Sequence, residues 1–220
     1  MENNDFMAVE VQRESALATS KVLRQTYMLL SATILFSAVT AAASMAIQAP
    51  YMGLWMLLPY FAFLFLTEKF KNSSLGLVFV FCLTGWLGFT SGPILNHYLA
   101  ASGPEPILLS LGGTALIFFT LSGYVLVTRK DLSFMTGFLT VGILVAFIGA
   151  IANAFLHISG LGLAISCMFL LLSSGMIMWQ TSAIIHGGET NYISATVTLY
   201  VMLYNIFLSL LHLIGAFSDD

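Results

Sequence analysis

Long apolar runs separated by short polar connections dominate this chain, and their length predicts helices that cross a membrane. Each run has about 17 to 25 residues, which is enough to span a hydrocarbon core of about 30 Å as a helix. The runs cover residues 27–47, 51–67, 75–99, 107–128, 134–157, 161–185 and 194–217. The pattern predicts an all-α membrane protein, with a seven-helix transmembrane bundle over residues 25–218 and a polar tail over residues 1–24.

The basic residues all fall on one side of this topology. They precede the first span or lie in the second-to-third and fourth-to-fifth connections: Arg13, Lys21, Arg24, Lys69, Lys71, Arg129 and Lys130. The connections on the other side, residues 48–50, 100–106 and 158–160, contain no Lys or Arg. Because short connections rich in Lys and Arg stay in the cytoplasm, we expect a cytoplasmic N-terminus and a periplasmic C-terminus.

Composition places the chain among membrane proteins. Hydrophobic residues make up 59% of the chain and charged residues 8%, whereas soluble domains carry about 25% charged residues. No basic patch exceeds three residues, so no nucleic-acid partner is expected. The acidic start of the tail has no apolar core, which excludes a cleavable signal peptide. The tail is expected to be disordered, either as a passive leader or as a handle for a cytosolic partner.

Small residues and one proline mark the third span. Gly85, Gly88 and Gly92 fall on one helical stripe, and in lipid such a stripe lets two helix backbones approach closely. Pro93 follows and removes a helix hydrogen bond. We interpret this segment as a tight helix contact with a kink; a broken helix that lines a cavity is the alternative.

The last connection on the cytoplasmic side, residues 186–192, lacks Lys and Arg. Gly187 and Gly188 end a helix well, and Thr190 or Asn191 can cap the next helix. We interpret the segment as a tight turn between the sixth and seventh spans. A contact with a cytoplasmic partner is the functional alternative. The candidate contact residues are His186, Gly187, Gly188 and Glu189.

No Asp, Glu, Lys or Arg lies in the middle of any predicted span. Ion-coupled carriers and proton pumps usually keep such a residue on their pathway, so its absence argues against both classes. The polar side chains deepest in the spans are amides, and a buried amide most often hydrogen-bonds between helices. Lining of a polar cavity is the alternative. The candidate cavity residues are Gln180, Asn205, Thr198 and Asn153.

Histidines and serines in the spans provide no catalytic or metal site. His97, His157 and His212 lie toward the outer ends of their spans, but none has a second ligand at i+3 or i+4. We therefore expect no metal and no cofactor. Ser122, within residues 120–123, resembles the serine motif of intramembrane proteases. A nucleophile needs a base within hydrogen-bond reach, and these histidines lie at the opposite face, so we expect no enzyme.

Several segments spread over spans and connections form a recognisable set. They are GPIL at residues 92–95, TALIF at 114–118, KVLR at 21–24, GGTA at 112–115, TRKD at 128–131, HGGETNY at 186–192, LY at 199–200 and YNIF at 204–207. The first two resemble the signature of the Bax inhibitor-1 family, and the others resemble its bacterial YccA-like branch. The resemblance covers residues 21–218 and agrees with the seven-span layout.

This resemblance implies two activities. Members of the YccA-like branch are associated with the membrane-anchored AAA protease FtsH, as substrate and as modulator. Other family members behave as pH-sensitive calcium leak channels that are gated by carboxylates on the last two helices. By alignment, those carboxylate positions correspond to Gln180, Thr198 and Met202, and none of the three can ionise. A latch that opens by protonation of paired carboxylates needs both charges, so the channel interpretation is weakened.

The chain is therefore interpreted as a multi-pass inner-membrane protein of a Gram-negative bacterium. We expect it to bind and inhibit FtsH in membrane-protein quality control. A processive protease must seize a cytosolic end, and the candidate residues for this are Met1, Glu2, Asn3, Asn4 and Asp5. A pH-influenced calcium or cation leak is the first alternative, and a non-catalytic membrane scaffold is the second.

Overall fold

The structure, a computed structural model, describes residues 2–156 and 158–218, with side chains for residues 17–156, 158 and 160–217. Seven α-helices make up this part of the chain: α1 Glu2–Ala46, α2 Leu57–Phe70, α3 Ser74–Ser102, α4 Glu105–Thr128, α5 Thr136–Leu156, α6 Ser159–Ile185 and α7 Tyr192–Ser218. Short 3₁₀ turns, Gly53–Met56 and Ser133–Met135, precede α2 and α5. These residues contain no β-strand, so the predicted all-α class is confirmed.

Seven segments of the described chain are long and apolar enough to cross a membrane. They are Leu17–Ala46, Gly53–Phe70, Ser74–Ser102, Glu105–Thr128, Ser133–Leu156, Gly160–Ile185 and Tyr192–Phe217. Each overlaps one predicted apolar run and differs from it mainly at the ends. The predicted seven-span bundle is thereby confirmed.

The first helix is longer than the predicted first span, because α1 begins at Glu2. The backbone of residues 2–24 is helical, and the disorder expected of a tail over residues 1–24 stays a prediction. This segment contains no Gly or Pro and several Glu, Ala, Leu and Arg residues, which are favourable in a helix. Its polar composition argues against burial, not against a local helix. The division of the chain near residue 24 stays a prediction.

The seventh helix forms the centre of the bundle, since α7 packs against α1, α2, α3, α4 and α6. Leu199, Ile206 and Leu211 of α7 are completely buried. α5 lies at the periphery, where it packs mainly against α6 and exposes apolar side chains such as Phe138 and Ile148. The bundle therefore buries one helix and presents the apolar faces of the others to lipid.

Three connections that the sequence predicted to be cytoplasmic lie together at one end of the bundle. Asn191 donates hydrogen bonds to the α2–α3 connection, and Ser182 of α6 forms hydrogen bonds with the α4–α5 connection. We call this end, formed by residues 68–74, 128–133 and 185–192, the basic end, and the opposite one the outer end. Assignment of the basic end to the cytoplasm stays a prediction.

Candidate functional site

Asn191 joins two connections at the basic end. Its Oδ1 accepts hydrogen bonds from the backbone N–H groups of Ile193 at 2.9 Å and Ser194 at 3.2 Å, so it caps α7. Its Nδ2 donates to the backbone carbonyl of Lys71 at 3.1 Å and to Oδ1 of Asn72 at 2.8 Å. One side chain thus fixes the start of α7 and holds the α2–α3 connection against it. The sequence had indicated only the cap.

Charged side chains reinforce the same contact. Glu68 forms an ion pair with Lys71 and accepts a hydrogen bond from Oγ of Ser194 at 3.2 Å. The hydrogen bond to Glu68 raises the pKa of the Lys71 amine above its usual value, and the nearby Glu189 carboxylate acts in the same direction. Glu189 also accepts a hydrogen bond from the backbone N–H of Asn191 at 2.8 Å. Lys71 therefore interacts with carboxylates on both sides of the contact.

A buried serine connects the third loop to this end. Oγ of Ser182 donates to the backbone carbonyl of Lys130 at 2.9 Å and accepts from the backbone N–H of Leu132 at 3.1 Å. Arg129 ends α4 with a left-handed φ of 51°, and its N–H donates to the carbonyl of Val125 at 2.8 Å. Sequence reasoning missed Ser182, because one serine near a helix end carries no signal of a contact 50 residues away.

The candidate contact residues His186, Gly187, Gly188 and Glu189 form the turn between α6 and α7. Gly187 has a φ of 75°, a conformation that favours glycine. The backbone N–H groups of Gly188 and Glu189 donate to the carbonyl of Ala183 at 2.8 and 3.1 Å. His186, Gly187 and Gly188 are exposed, and Glu189 is half-buried. The turn is held in one conformation, and its tip is accessible to a partner.

Gln180 is the most deeply buried of the candidate cavity residues. Only 2% of it is exposed, and its Nε2 has no hydrogen-bond partner within the described part of the chain. It precedes the end of α6 at Ile185 by five residues, which is about 8 Å of helix. A buried donor without a partner costs about 1–3 kcal/mol. Gln180 is therefore the one candidate cavity residue whose amide calls for a further hydrogen-bond partner.

A contact between α6 and α7 near the outer end sets the register of these antiparallel helices. Oγ of Ser166 lies 2.8 Å from Nδ1 of His212. Asn153 of α5 lies at the same end, where its Oδ1 accepts a hydrogen bond from the backbone N–H of Ile158 at 3.1 Å. The Asn153 side chain closes the α5–α6 connection and lies far from the basic end, where Gln180 is found.

The remaining candidate cavity residues lie on α7 at different depths. The register set by Ser166 and His212 places Thr198 at the level of Gln180. Asn205 follows Thr198 by seven residues, which is about 10 Å of helix. Both Thr198 and Asn205 are half-buried, and Met202 is buried with 7% exposed. The structure therefore brings Thr198 to the level of Gln180 but spreads the other candidates along the bundle.

The glycine stripe of α3 faces α1 at close range. A side chain at Gly88 would overlap the backbone carbonyl of Ser37, and one at Gly92 would overlap the side chain of Ser44. At Gly85, a Cβ would lie 2.6 Å from an aromatic ring of α1. The stripe therefore packs as a tight helix contact. α3 runs without a break from Ser74 to Ser102 through Pro93, which contradicts the broken-helix alternative.

Two other groups of candidate residues have a simpler placement. Glu2, Asn3, Asn4 and Asp5 belong to α1, whereas Met1 and His157 lie outside the described residues.

The described residues contain no group of three His, Cys, Asp or Glu that could hold a metal ion. Cys82 and Cys167 are free thiols. The polar chemistry of this bundle is thus concentrated in hydrogen bonds at the basic end and in buried hydroxyls between helices.

Comparison with known proteins gives a consistent result over nearly the whole chain. A family model described as "Inhibitor of apoptosis-promoting Bax1" matches residues 19–219. The chain is 54% identical over 209 residues to "Modulator of FtsH protease YccA" of Escherichia coli strain K12, with 94% of this chain and 95% of that protein covered. The same identity and coverage hold for "Inner membrane protein YccA" of Escherichia coli O6:H1. An uncharacterized protein of Pseudomonas aeruginosa is 50% identical, with 97% and 95% covered.

Proposed function

This chain belongs to the Bax inhibitor-1 family, and on that premise we propose that it binds and modulates the membrane protease FtsH. It is a multi-pass inner-membrane protein. One observation carries the proposal: 54% identity over 94% of the chain to a protein named as a modulator of that protease. The proposed role is non-catalytic, because it requires binding and resistance to extraction rather than bond cleavage.

The basic end supports the proposal as a surface for a cytosolic partner. Asn191 and Ser182 hold three connections together there, so a partner meets one preformed surface and loses little free energy in ordering loops. The exposed turn at His186, Gly187 and Gly188 lies at its tip. This surface faces the proteolytic domains of a cytoplasmic AAA protease if the predicted topology holds.

Resistance to extraction supplies the inhibitory step. The protease engages the N-terminal segment of α1 and then pulls on a bundle that has no charged side chain in the middle of its spans. α7 is surrounded by five helices, and unpaired backbone groups are costly in lipid. Removal of one helix therefore disrupts most of the packing. A partner that is held but not quickly unfolded occupies the protease.

The test of this role replaces residues 1–16 with a tightly folded domain that the protease cannot unfold. Purified FtsH in proteoliposomes degrades a reporter substrate, and the rate is measured with the unmodified chain and with the variant. We expect the variant to lose inhibition. The control carries the same domain after Asp220, on the side predicted to be periplasmic, and should inhibit normally. Inhibition that persists unchanged with the N-terminal domain would rule out engagement through the tail.

A further inference from the structure

The first two spans stop short of the outer end of the bundle. Ser44 of α1 lies against Gly92 of α3, and α1 ends two residues later at Ala46. α3 continues from Gly92 for ten more residues to Ser102, which is about 15 Å of helix. The connection at residues 47–52 therefore lies beside the last turns of α3 rather than beyond them.

The irregular backbone of this connection needs hydrogen-bond partners for its N–H and carbonyl groups. Gln48 has a left-handed φ of 51°, and the Nδ2 of Asn96 donates to the carbonyl of Met45 at 3.1 Å. Pro93 has no N–H, so the carbonyl of Phe89 lacks its usual helical donor. Buried backbone groups that lack a protein partner are commonly paired with ordered water.

A notch of about 620 Å³ opens beside this connection. Gln48, Tyr51, Pro93, Asn96 and Leu99 are among the residues that line it. The volume is large enough for several waters, since one water occupies about 30 Å³ of liquid. Its amide groups and tyrosine hydroxyl can both donate and accept hydrogen bonds, and it has no charged lining residue. Without a charged side chain the notch offers an ion no counter-charge, whereas its amides and hydroxyl can bind water.

Two buried hydroxyl groups lie inward of the notch. Ser44 is 0% exposed, and its Oγ has no hydrogen-bond partner in the described residues. The hydroxyl of Tyr204 is also buried and lies near the side chain of Thr90. Tyr51, which lines the notch, is among the ionisable side chains near Tyr204. One turn further toward the basic end, the hydroxyl of Tyr200 is paired with Ser37. Ser44 and Tyr204 both lie on the outer-end side of this pair.

We propose that the notch is a water-filled inlet that enters from the outer end, reaches Ser44 and Tyr204, and stops at the Tyr200–Ser37 hydrogen bond. Water supplies the partners that the Ser44 hydroxyl and the carbonyl of Phe89 lack. The inlet is separate from Gln180, which lies near the basic end. It does not depend on any interaction with a protease.

Thiol accessibility tests the inlet in the full-length protein. Cys82 and Cys167 are replaced by Ala, and Ser44→Cys is compared with Leu211→Cys, whose native side chain is also 0% exposed and lies closer to the outer end on α7. A membrane-impermeant methanethiosulfonate is added to oriented membrane vesicles from the outer side. We expect Ser44→Cys to react at least tenfold faster, because thiolate formation needs water. Equal rates would mean that the notch is filled by lipid or is dry.

Hydroxyl-radical labelling of the unmodified protein gives a second measurement that needs no substitution. Water beside Tyr204 should lead to oxidation of its ring several-fold above that of Tyr200, which is 4% exposed and lies at the closed end. Equal protection of both rings would overturn the proposal even if the cysteine variants failed to fold.

Discussion

The hydroxyl of Tyr200 on α7 lies 2.5 Å from Oγ of Ser37 on α1. It also lies 3.2 Å from the backbone carbonyl of Thr84 on α3. The three helices all run from the basic end toward the outer end, and this hydroxyl joins them in the bundle interior. Ser37 is also the residue whose backbone carbonyl lies against Gly88. The polar contact and the glycine contact therefore depend on the same placement of α1.

Removal of this hydroxyl should weaken the bundle. Tyr200→Phe removes the hydrogen-bond partner of the Ser37 hydroxyl and of the Thr84 carbonyl, at an expected cost of about 1–3 kcal/mol. Thermal unfolding of the purified protein in detergent measures the loss. Tyr204→Phe on the same helix is the control, because the Tyr204 hydroxyl lies near Thr90 and does not join α1 to α3 and α7, and it should cost less. A larger loss for Tyr204→Phe would contradict the assigned role of Tyr200.

The glycine stripe predicts a position-dependent effect of one methyl group. Gly88→Ala places a Cβ on the backbone carbonyl of Ser37, which cannot move without displacing α1, and overpacking of this kind costs about 1–3 kcal/mol. Gly112→Ala on α4 meets nothing within 4 Å and should be neutral or stabilising, since alanine is the better helix former. Comparison of the two melting temperatures checks the prediction. Equal shifts would show that close approach is not what Gly88 provides.

Two substitutions of Asn191 should separate its capping of α7 from its attachment of the α2–α3 connection. Asn191→Ala removes both, whereas Asn191→Asp keeps the oxygen that caps α7 and loses the donor to Lys71 and Asn72. We expect Asn191→Ala to cost about 1–2 kcal/mol and Asn191→Asp to cost less. Both variants should speed amide hydrogen exchange in residues 71–74. Thr190→Ala, at an exposed position, serves as control and should leave exchange unchanged. Faster exchange in this control would show that the α2–α3 connection is not held specifically by Asn191.

A hydrogen bond in the α4–α5 connection should make the stability of the folded protein depend slightly on pH in the acid range. The backbone N–H of Ser133 donates to Oδ1 of Asp131 at 2.9 Å, and this bond lowers the pKa of the Asp131 carboxyl below its usual value. A depressed pKa in the folded protein means that the stabilisation is present above the unfolded pKa and is lost as pH falls through the folded one. Carbonyl NMR of labelled Asp should show the low pKa. Ser133→Pro removes this N–H donor and should return the pKa of Asp131 toward its usual value.

The resemblance aligns neutral side chains of this chain with the family's carboxylate positions, and from this we predict the absence of a gated calcium leak. Purified protein in liposomes that contain a calcium dye should give no flux above empty liposomes at acidic or neutral pH, because Gln180, Thr198 and Met202 cannot ionise. Gln180→Leu should leave inhibition of FtsH intact. Flux in the unmodified protein that Gln180→Leu abolishes would favour a leak pathway through the bundle instead.

Local sequence was sufficient to predict the seven spans, the all-helical class and the position of the three cytoplasmic connections at one end of the bundle. The length of an apolar run and the placement of Lys and Arg are properties of consecutive residues, and the membrane converts them directly into helices and sides. The same holds for Gly85, Gly88 and Gly92, where a spacing along one helix indicates a close contact without naming the partner. The helical backbone of residues 2–24 was not predicted, because this polar segment has no apolar period from which a helix could be recognised.

Tertiary structure decided which helices meet and which polar atoms find partners. Nothing in the sequence indicates that α7 is the central helix, that Ser182 holds the α4–α5 connection or that α1 ends short of α3. These relationships join residues far apart in the chain, and they depend on how seven helices of similar hydropathy share limited interior space. Asn153, Gln180 and Asn205 illustrate the reason: their burial in a span follows from sequence, but the depth and neighbours of each amide follow only from packing.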